Sequence, residues 1–321
     1  NLVRRELEQV RLFLFGPWPV GDEWRQIERL LYTGAGAAIS GLWIHDAVGL
    51  FVTPLALAII YFVIPASTGR PIFSHFLSML GFWLLFFLYP LNGTHHYVFS
   101  VIPMAAQMGA ITASTLLGLD VLIVVTNLFL SLRGAGFVPR DPALRFVAAG
   151  TLFYLIVSMQ GAAQAQMAVN QAVHFTDWVI GHSHLAMMGF ASFAAAGGLV
   201  HAWQRIPWAP YNARAINAAY WLMTAGLVVM VSDLTIAGLL QGQSWQAGAP
   251  WVESLEVTRP YWLVRTLSGI PLAAGFLALL WGLTSGPRGA GLREVENGVG
   301  VEPVAEVAPR LAIASSTVET S

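Results

Sequence analysis

Long apolar stretches separated by short polar segments make up most of the chain. A helix needs about 20 mostly apolar residues to cross a bilayer, and stretches of this length recur between residues 36 and 284. The pattern predicts an all-α integral membrane protein with seven transmembrane helices. The predicted ranges are 36–64, 74–91, 102–132, 143–168, 177–203, 213–240 and 261–284.

The two ends of the chain are more polar than the predicted spans. Residues 1–33 mix charged and apolar positions, which is typical of an interfacial or loop segment. We expect the polar residues 287–321 to form a mobile cytoplasmic tail. The predicted organisation is therefore an interfacial segment (1–33), a membrane portion (34–286) and a tail (287–321).

Composition narrows the class of protein. Of 321 residues, 56% are hydrophobic and only 10% are charged, whereas a soluble domain carries about 25% charge. This excludes a cytosolic globular enzyme, and the net charge of −1 offers no basic surface to nucleic acid. The absence of cysteine excludes disulfides and thiolate metal sites. All basic residues are arginine, so the Schiff-base lysine that a retinal protein needs is absent.

The arginines predict the orientation in the membrane. We define side A as the side on which residues 1–33 would lie, and side B as the opposite side. Among the connecting loops, side A holds only Arg259. Side B is predicted to be cytoplasmic, with the C-terminus, because cytoplasmic loops carry an excess of basic residues. Its arginines are Arg70, Arg133, Arg140, Arg145, Arg205, Arg214, Arg288, Arg293 and Arg310.

Five histidines from three spans fall in the side-A half of the predicted bundle. Ionisable residues inside spans are costly and usually functional, and imidazole is the commonest metal ligand in proteins. One of them, His45, lies about 14 Å deep at 1.5 Å of rise per residue. We therefore expect metal ligation by His45, His95, His96, His182 and His184.

The spacing of these histidines predicts more than one centre. His182 and His184 project about 200° apart on a helix, so they suit two centres on opposite faces. His95 and His96 are adjacent at an irregular helix end, where both can reach one ion. His45 could supply a third imidazole, and such a set suits copper, zinc or iron.

The other histidines carry weaker signals. His75 and His201 lie towards the side-B ends of their spans, where we expect them to face lipid headgroups. His174 lies just before the fifth span, close to Asp177, and the two could form an outer-shell pair.

Several motifs carry a resemblance that runs from about Trp43 to about Trp281. They are IHDAVGLF, GRPIFSHFLS, YPLNGTHH, NLFLSLRG, NQAVHFTDWVIGHSH, GLLQGQSW and PYWLVRTLSG. In these motifs the chain resembles subunit I of the haem-copper oxidases, and most closely the catalytic subunit of the cbb3-type (C-family) cytochrome c oxidases. The family has about twelve spans, so the seven spans would form part of a twelve-helix bundle.

The resemblance implies a role for each of the five histidines. His45, His95 and His96 would bind copper B. His182 would be the proximal ligand of a high-spin haem, expected to be b-type. His184 would be an axial ligand of a low-spin haem b. No histidine precedes His45, so the second axial ligand of that haem is expected from another chain or from a further segment of polypeptide.

The resemblance also implies a redox-active tyrosine and a proton path. Tyr89 would be the tyrosine that this family cross-links to His45; an ordinary interfacial tyrosine is the alternative. Asn127 and Ser131 match polar positions of the family's proton path, and Thr126 could join them. Hydrogen bonding between helices is the alternative for these three residues.

Three further residues fall where the family holds the haem propionates, namely His174, Asp177 and Arg265. An arginine fork suits a carboxylate, although a surface arginine near a span end is also ordinary. The family suggests calcium at the same place. The chain departs from the family at Gln160, where the family usually has a glutamate, because glutamine can form hydrogen bonds but cannot release a proton.

The implied activity is reduction of dioxygen to water in a bacterial inner membrane, coupled to proton uptake and pumping, with the metal centre towards the periplasm. Electrons would come from cytochrome c-type subunits, because the chain has no CxxCH motif. The nearest alternative is nitric oxide reductase of the same superfamily, which uses iron in place of copper and has a glutamate where this chain has Gly49. A transporter is a second alternative, but it would not explain the histidines.

Overall fold

The computed structural model describes residues 34–100, 102–135 and 139–298, and within these ranges the chain forms helices joined by short turns. The predicted segment 1–33 lies outside the described residues, as does the tail beyond residue 298. The α-helices of the described ranges are α1 (Gly34–Asp46), α2 (Thr53–Thr68), α3 (His75–Asn92), α4 (Met104–Ser131), α5 (Pro142–Ala165), α6 (Met167–Val173), α7 (Asp177–His184), α8 (Ser192–Gln204), α9 (Ala213–Gln246), α10 (Trp251–Thr284) and α11 (Ala290–Gly298).

Three short segments of tighter or wider winding interrupt or extend these helices. A π-helical turn, Ala47–Val52, joins α1 to α2, and another, Leu185–Ala191, joins α7 to α8. A 3₁₀ turn, Gly93–Tyr97, continues α3. The two π-helical turns start within two residues of His45 and His184, and the 3₁₀ turn contains His95 and His96. All four histidines are predicted to bind metal.

Within the described ranges, the structure contains seven helices long and apolar enough to cross a membrane, as predicted; they are numbered here in chain order. Span 7 begins at Trp251, ten residues before its predicted start at residue 261, because Glu253, Glu256 and Arg259 lower the hydropathy of its first turns. The spans are Ile39–Thr68, His75–Tyr97, Met104–Ser131, Pro142–Ala165, Asp177–Gln204, Ala213–Gln246 and Trp251–Thr284.

The spans that start at side B begin with side-chain N-caps. The Ser74 hydroxyl accepts a hydrogen bond from the Leu77 N–H at the start of span 2. At the start of span 4, the Asp141 carboxylate accepts from the N–H groups of Ala143 and Leu144, at 3.2 and 3.3 Å. These bonds satisfy helix N–H groups that would otherwise have no partner.

Two expectations for the side-B end are corrected. His201 does not face headgroups: it is buried, and its Nδ1 lies 3.1 Å from Oγ of Ser67 because α8 packs against α2. The tail is not mobile from its beginning, because it forms α11, where Glu294 accepts a hydrogen bond from Gln204. His75 is exposed at the start of span 2, as expected.

Candidate metal centre

Three imidazoles converge at the side-A end of the bundle. One nitrogen of each of His45, His95 and His96 lies within 4.8 Å of the corresponding nitrogens of the other two. The ring centroid of His45 lies 4.7 Å from that of His95 and 5.0 Å from that of His96. This is the group that the sequence predicts to share one metal ion.

The backbone around the paired histidines explains the convergence. His95 and His96 lie in the 3₁₀ turn that extends span 2, whose tighter winding redirects the chain. Gly93 starts this turn, and a Cβ atom there would lie 2.8 Å from the Cα of Leu42. The turn therefore packs directly on α1, which brings both histidines to His45.

A serine on span 3 fixes the orientation of one ligand. Nδ1 of His95 lies 2.6 Å from Oγ of Ser114, whose own hydroxyl donates to the carbonyl of Ala110 at 2.7 Å. The serine oxygen therefore accepts from the Nδ1–H of His95, which leaves Nε2 as the nitrogen that can bind a metal. Sequence reasoning missed Ser114; the available signal was the group of hydroxyl residues Thr112, Ser114 and Thr115 on the span that follows the paired histidines.

His182 of span 5 lines the same cavity as the three histidines. This cavity has a volume of about 250 Å³, and Tyr89 and Tyr154 also form part of its wall. Nδ1 of His182 lies 3.3 Å from Oε1 of Gln160. Because that oxygen only accepts, the Nδ1 carries the proton and Nε2 is left for a metal. The His182 ring is also parallel to Trp178, at 5.7 Å.

His184 lies outside that cavity, on another face of the same helix. Its Nδ1 lies 2.8 Å from the backbone carbonyl of Ile180 and must donate to it. Nε2 of His184 is therefore also left as a potential ligand. The two histidines of the HSH motif thus have the separate surroundings that their spacing predicts.

Tyr89 lies beside the histidine group. Its ring meets His45 edge to face, with the centroids 4.7 Å apart. A Cβ atom on Gly49 would overlap Cε1 and Cζ of Tyr89. The tyrosine ring therefore occupies the space that any side chain at position 49 would need.

Asp177 is held in a buried network that joins three spans. Its Oδ2 accepts hydrogen bonds from Nε2 of Gln241 and Nε1 of Trp262, both at 2.9 Å. Its own N–H donates to Oε1 of Gln241. Arg265 follows Trp262 by one turn of span 7 and is half-buried.

His174 lies close to the histidine group. Its ring stacks on that of Phe175, with the centroids 3.9 Å apart. Burial lowers the pKa of His174, and the nearby backbone of His96 opposes this shift. Among the described residues, the hydrogen bonds of the Asp177 side chain go to spans 6 and 7, and no hydrogen bond joins it to His174.

The predicted proton-path residues make hydrogen bonds between spans 2 and 3. Asn127 accepts from the Ser74 N–H and donates to both the Ser74 carbonyl and Oγ of Ser78, each at 2.9 Å. Oγ of Ser131 accepts from the Phe73 N–H. Thr126 is exposed on the surface of this chain and is not part of this group.

Comparison with known proteins identifies the family. Residues 32–271 match the family model described as cytochrome C and quinol oxidase polypeptide I. The chain belongs to this family. The family is subunit I of the haem-copper oxidases, so the resemblance found in the sequence motifs is confirmed.

Individual relatives support the same family assignment. The chain is 32% identical to the bacteroid cytochrome c oxidase subunit 1 homolog of Bradyrhizobium diazoefficiens, over 81% of this chain and 49% of the relative. It is also 32% identical to the cbb3-type cytochrome c oxidase subunit CcoN1 of Stutzerimonas stutzeri, over 78% of this chain and 55% of the relative. The chain therefore spans about half the length of these relatives.

A solved structure supports the fold. The chain is similar to a protein described as a heme-copper terminal oxidase dimer, with a TM-score of 0.64 and 16% sequence identity. The likeness covers 76% of this chain and 47% of that chain. At this level of identity the likeness concerns the arrangement of helices.

The family implies haem and copper, and the residues present fit both. His45, His95 and His96 form a three-imidazole set of the kind that copper accepts. His182 and His184 each hold Nδ1 in a hydrogen bond, as metal-ligating histidines usually do.

Proposed function

We propose that this chain is the part of a terminal respiratory oxidase's catalytic subunit that holds the dioxygen-reducing centre. His45, His95 and His96 would hold copper, His182 a high-spin b-type haem, and His184 a low-spin haem b. When bound, these groups would supply the electrons and the site at which dioxygen is reduced to water.

The residues around the histidines would keep the ligands correctly oriented. Ser114 and Gln160 accept from Nδ1 of His95 and of His182, so each ring presents Nε2 towards the cavity. Fixing the tautomer in this way also raises the basicity of the ligand. Because Gln160 replaces the usual glutamate, His182 has a neutral acceptor, and no proton could leave from that side chain.

Tyr89 would supply both a proton and an electron from its phenolic group. One observation favours reduction of dioxygen over reduction of nitric oxide. The Tyr89 ring lies beside His45 and fills the space that a side chain at position 49 would need. A nitric oxide reductase needs a glutamate at position 49. Such a side chain cannot share that space with the tyrosine.

The wider assembly follows from the same proposal. A cytochrome c-type subunit would donate electrons, and another chain or a further segment would provide the second ligand of the low-spin haem. The complex would lie in a bacterial inner membrane, with the metal centre towards the periplasm and the C-terminus in the cytoplasm. Haem propionates, and calcium with them, would lie near His174, Asp177 and Arg265.

Protons for the reduction of dioxygen would enter from side B. Further protons would be pumped across the membrane. Asn127 and Ser131 lie at that end of span 3 and belong to a group of hydroxyl and amide side chains. Such groups can pass protons where bare hydrocarbon cannot. Thr126 would take no part, because it faces away from this group.

The purified complex should be assayed for dioxygen and nitric oxide reduction with the same electron donor. We expect dioxygen turnover, and we expect Tyr89→Phe to lower it by about a hundredfold, as loss of a positioned proton donor does. Copper and haem contents should not change. Tyr261→Phe, on span 7, is the control. Turnover of nitric oxide without turnover of dioxygen would overturn the proposal.

A further inference from the structure

Span 3 carries a carboxylic acid that takes no part in the centre described above. Asp120 is only 1% exposed, and neither of its carboxylate oxygens has a hydrogen-bond partner among the described residues. A carboxylate that is buried without a partner carries a large cost in free energy, so such a group is held in its protonated form. Asp120 therefore holds a proton within the membrane-spanning region of the chain.

Towards side B, Asp120 approaches the polar group around Asn127. A Cβ atom on Gly81 of span 2 would lie 3.3 Å from Oδ1 of Asp120, so the carboxyl group lies over that glycine. Gly81 follows Ser78 by one helical turn, and Ser78 accepts a hydrogen bond from Asn127. The carboxyl group is thus one turn away from the hydroxyl and amide groups that reach side B.

Towards side A, Asp120 approaches the wall of the metal cavity. Leu117 and Gly118, which precede Asp120 on span 3 and so lie nearer side A, line that cavity. Leu85, one turn beyond Gly81 on span 2, lines it too. Asp120 therefore lies between the side-B polar group and the cavity, within about one helical turn of each.

We propose that Asp120 is a proton-relay residue that passes protons from Ser78 and Asn127 to the metal cavity. In one cycle the O–H bond of the carboxylic acid breaks and its proton moves into the cavity, where dioxygen reduction consumes it. The carboxylate then takes a new proton that arrives from side B past Asn127 and Ser78. This proposal rests on the proposed function, because oxygen reduction is the reaction that consumes the proton.

Two substitutions distinguish the effect of the acidic proton of Asp120 from the effect of the shape of its side chain. Asp120→Asn keeps the size and removes the acidic proton, whereas Asp120→Glu keeps the acid. Thr112→Val is the matched control, because Thr112 is exposed on the same span and its hydroxyl donates to the carbonyl of Met108 in its own helix. Each variant would be prepared as the whole complex, with haem spectra and copper content measured first.

The readouts are infrared absorption and proton uptake. We expect Asp120→Asn to lose the carbonyl stretch of one protonated carboxylic acid and to slow proton uptake in a single turnover of the reduced complex by about a hundredfold. Asp120→Glu should restore most of the rate, and Thr112→Val should match the parent. Unchanged proton uptake in Asp120→Asn, or an unchanged carbonyl stretch, would overturn the relay.

The parent complex provides a second test that does not depend on assembly of a variant. A relay must lose and regain its proton, so the carbonyl stretch should weaken and recover during the reaction with dioxygen. A stretch that stays constant during turnover would overturn the relay while leaving the proposed function intact. Absence of haem and of dioxygen turnover in the parent would instead overturn the proposed function.

Discussion

The two ends of the helix bundle are built in different ways. At side A, the helices depart from regular α-winding beside the histidines, in the π-helical turns Ala47–Val52 and Leu185–Ala191 and in the 3₁₀ turn Gly93–Tyr97. At side B, the described span ends are regular and have ordinary caps. Irregular winding changes the direction of side chains along a span, and π-helical turns often occur at functional sites. Histidines from three spans can therefore share one cavity.

The polar groups of the two ends also differ in how they are satisfied. At side A, His95, His182 and His184 each use Nδ1 in a hydrogen bond, which leaves Nε2 for a ligand. At side B, Asn127 uses both its oxygen and its nitrogen to hold the start of span 2. The first arrangement prepares binding, whereas the second joins spans 2 and 3 through the polar group that we propose carries protons.

The largest predicted effect separates the two histidines of span 5. His182→Ala should remove the high-spin haem spectrum and all oxygen reduction, because the cavity would lose its haem ligand. His184→Ala should remove the low-spin spectrum instead. Reduced-minus-oxidised spectra of both variants check this difference. Loss of the same haem signal in both would contradict the assignment of two centres.

The next effect tests the close contact between Gly49 and Tyr89. Gly49→Ala should force the tyrosine ring away from His45, at a cost of about 1–3 kcal/mol in unfolding free energy, and should lower dioxygen turnover. Gly109→Ala is the control, since a Cβ atom at Gly109 would meet nothing within 4 Å. Thermal unfolding and turnover measure both effects. Equal behaviour of the two variants would contradict the observed packing.

A smaller effect is expected from the hydrogen bond that orients His95. Ser114→Ala should weaken copper binding by about 10–100-fold, as loss of such an orienting partner does, while the haem spectra stay unchanged. Copper retention against a competing chelator measures it. Ser192→Ala is a suitable control, because that hydroxyl donates to the backbone carbonyl of Met187 in its own span. Copper retention like that of the control would show that Ser114 does not support the site.

The smallest effect should come from a cap at side B. Asp141→Ala removes the acceptor at the start of span 4 and should cost about 1 kcal/mol in unfolding free energy. Asp141→Asn should keep most of that stability, because asparagine also caps helices well. Metal content should remain normal in both. Loss of copper or haem in Asp141→Ala would contradict the expectation that the side-B caps and the side-A metal centre are independent of each other.

The number of spans and the convergence of His45, His95 and His96 could be predicted from the sequence, because both follow from local features. Hydropathy reports the length of apolar stretches, and the HH and HSH spacings restrict which imidazoles can meet. The start of span 7 could not be found in this way, since Glu253 and Glu256 lie in a helical turn that is not apolar.

Contacts between distant helices could not be predicted. Ser114 and Gln160 each meet a histidine on another span, and that pairing depends on how the helices rotate against each other. The position of His201 near a span end predicts that it faces headgroups, but the rotation of span 5 turns its ring towards Ser67. The irregular turns add to this difficulty, because each one shifts the face on which the following residues lie.

The most direct test of the central claim is the metal content of the purified complex, measured together with its reduced-minus-oxidised spectrum. If His45, His95 and His96 hold copper while His182 and His184 hold haems, copper should be present beside one high-spin and one low-spin haem signal. Non-haem iron in place of copper, or a spectrum without haem, would contradict it.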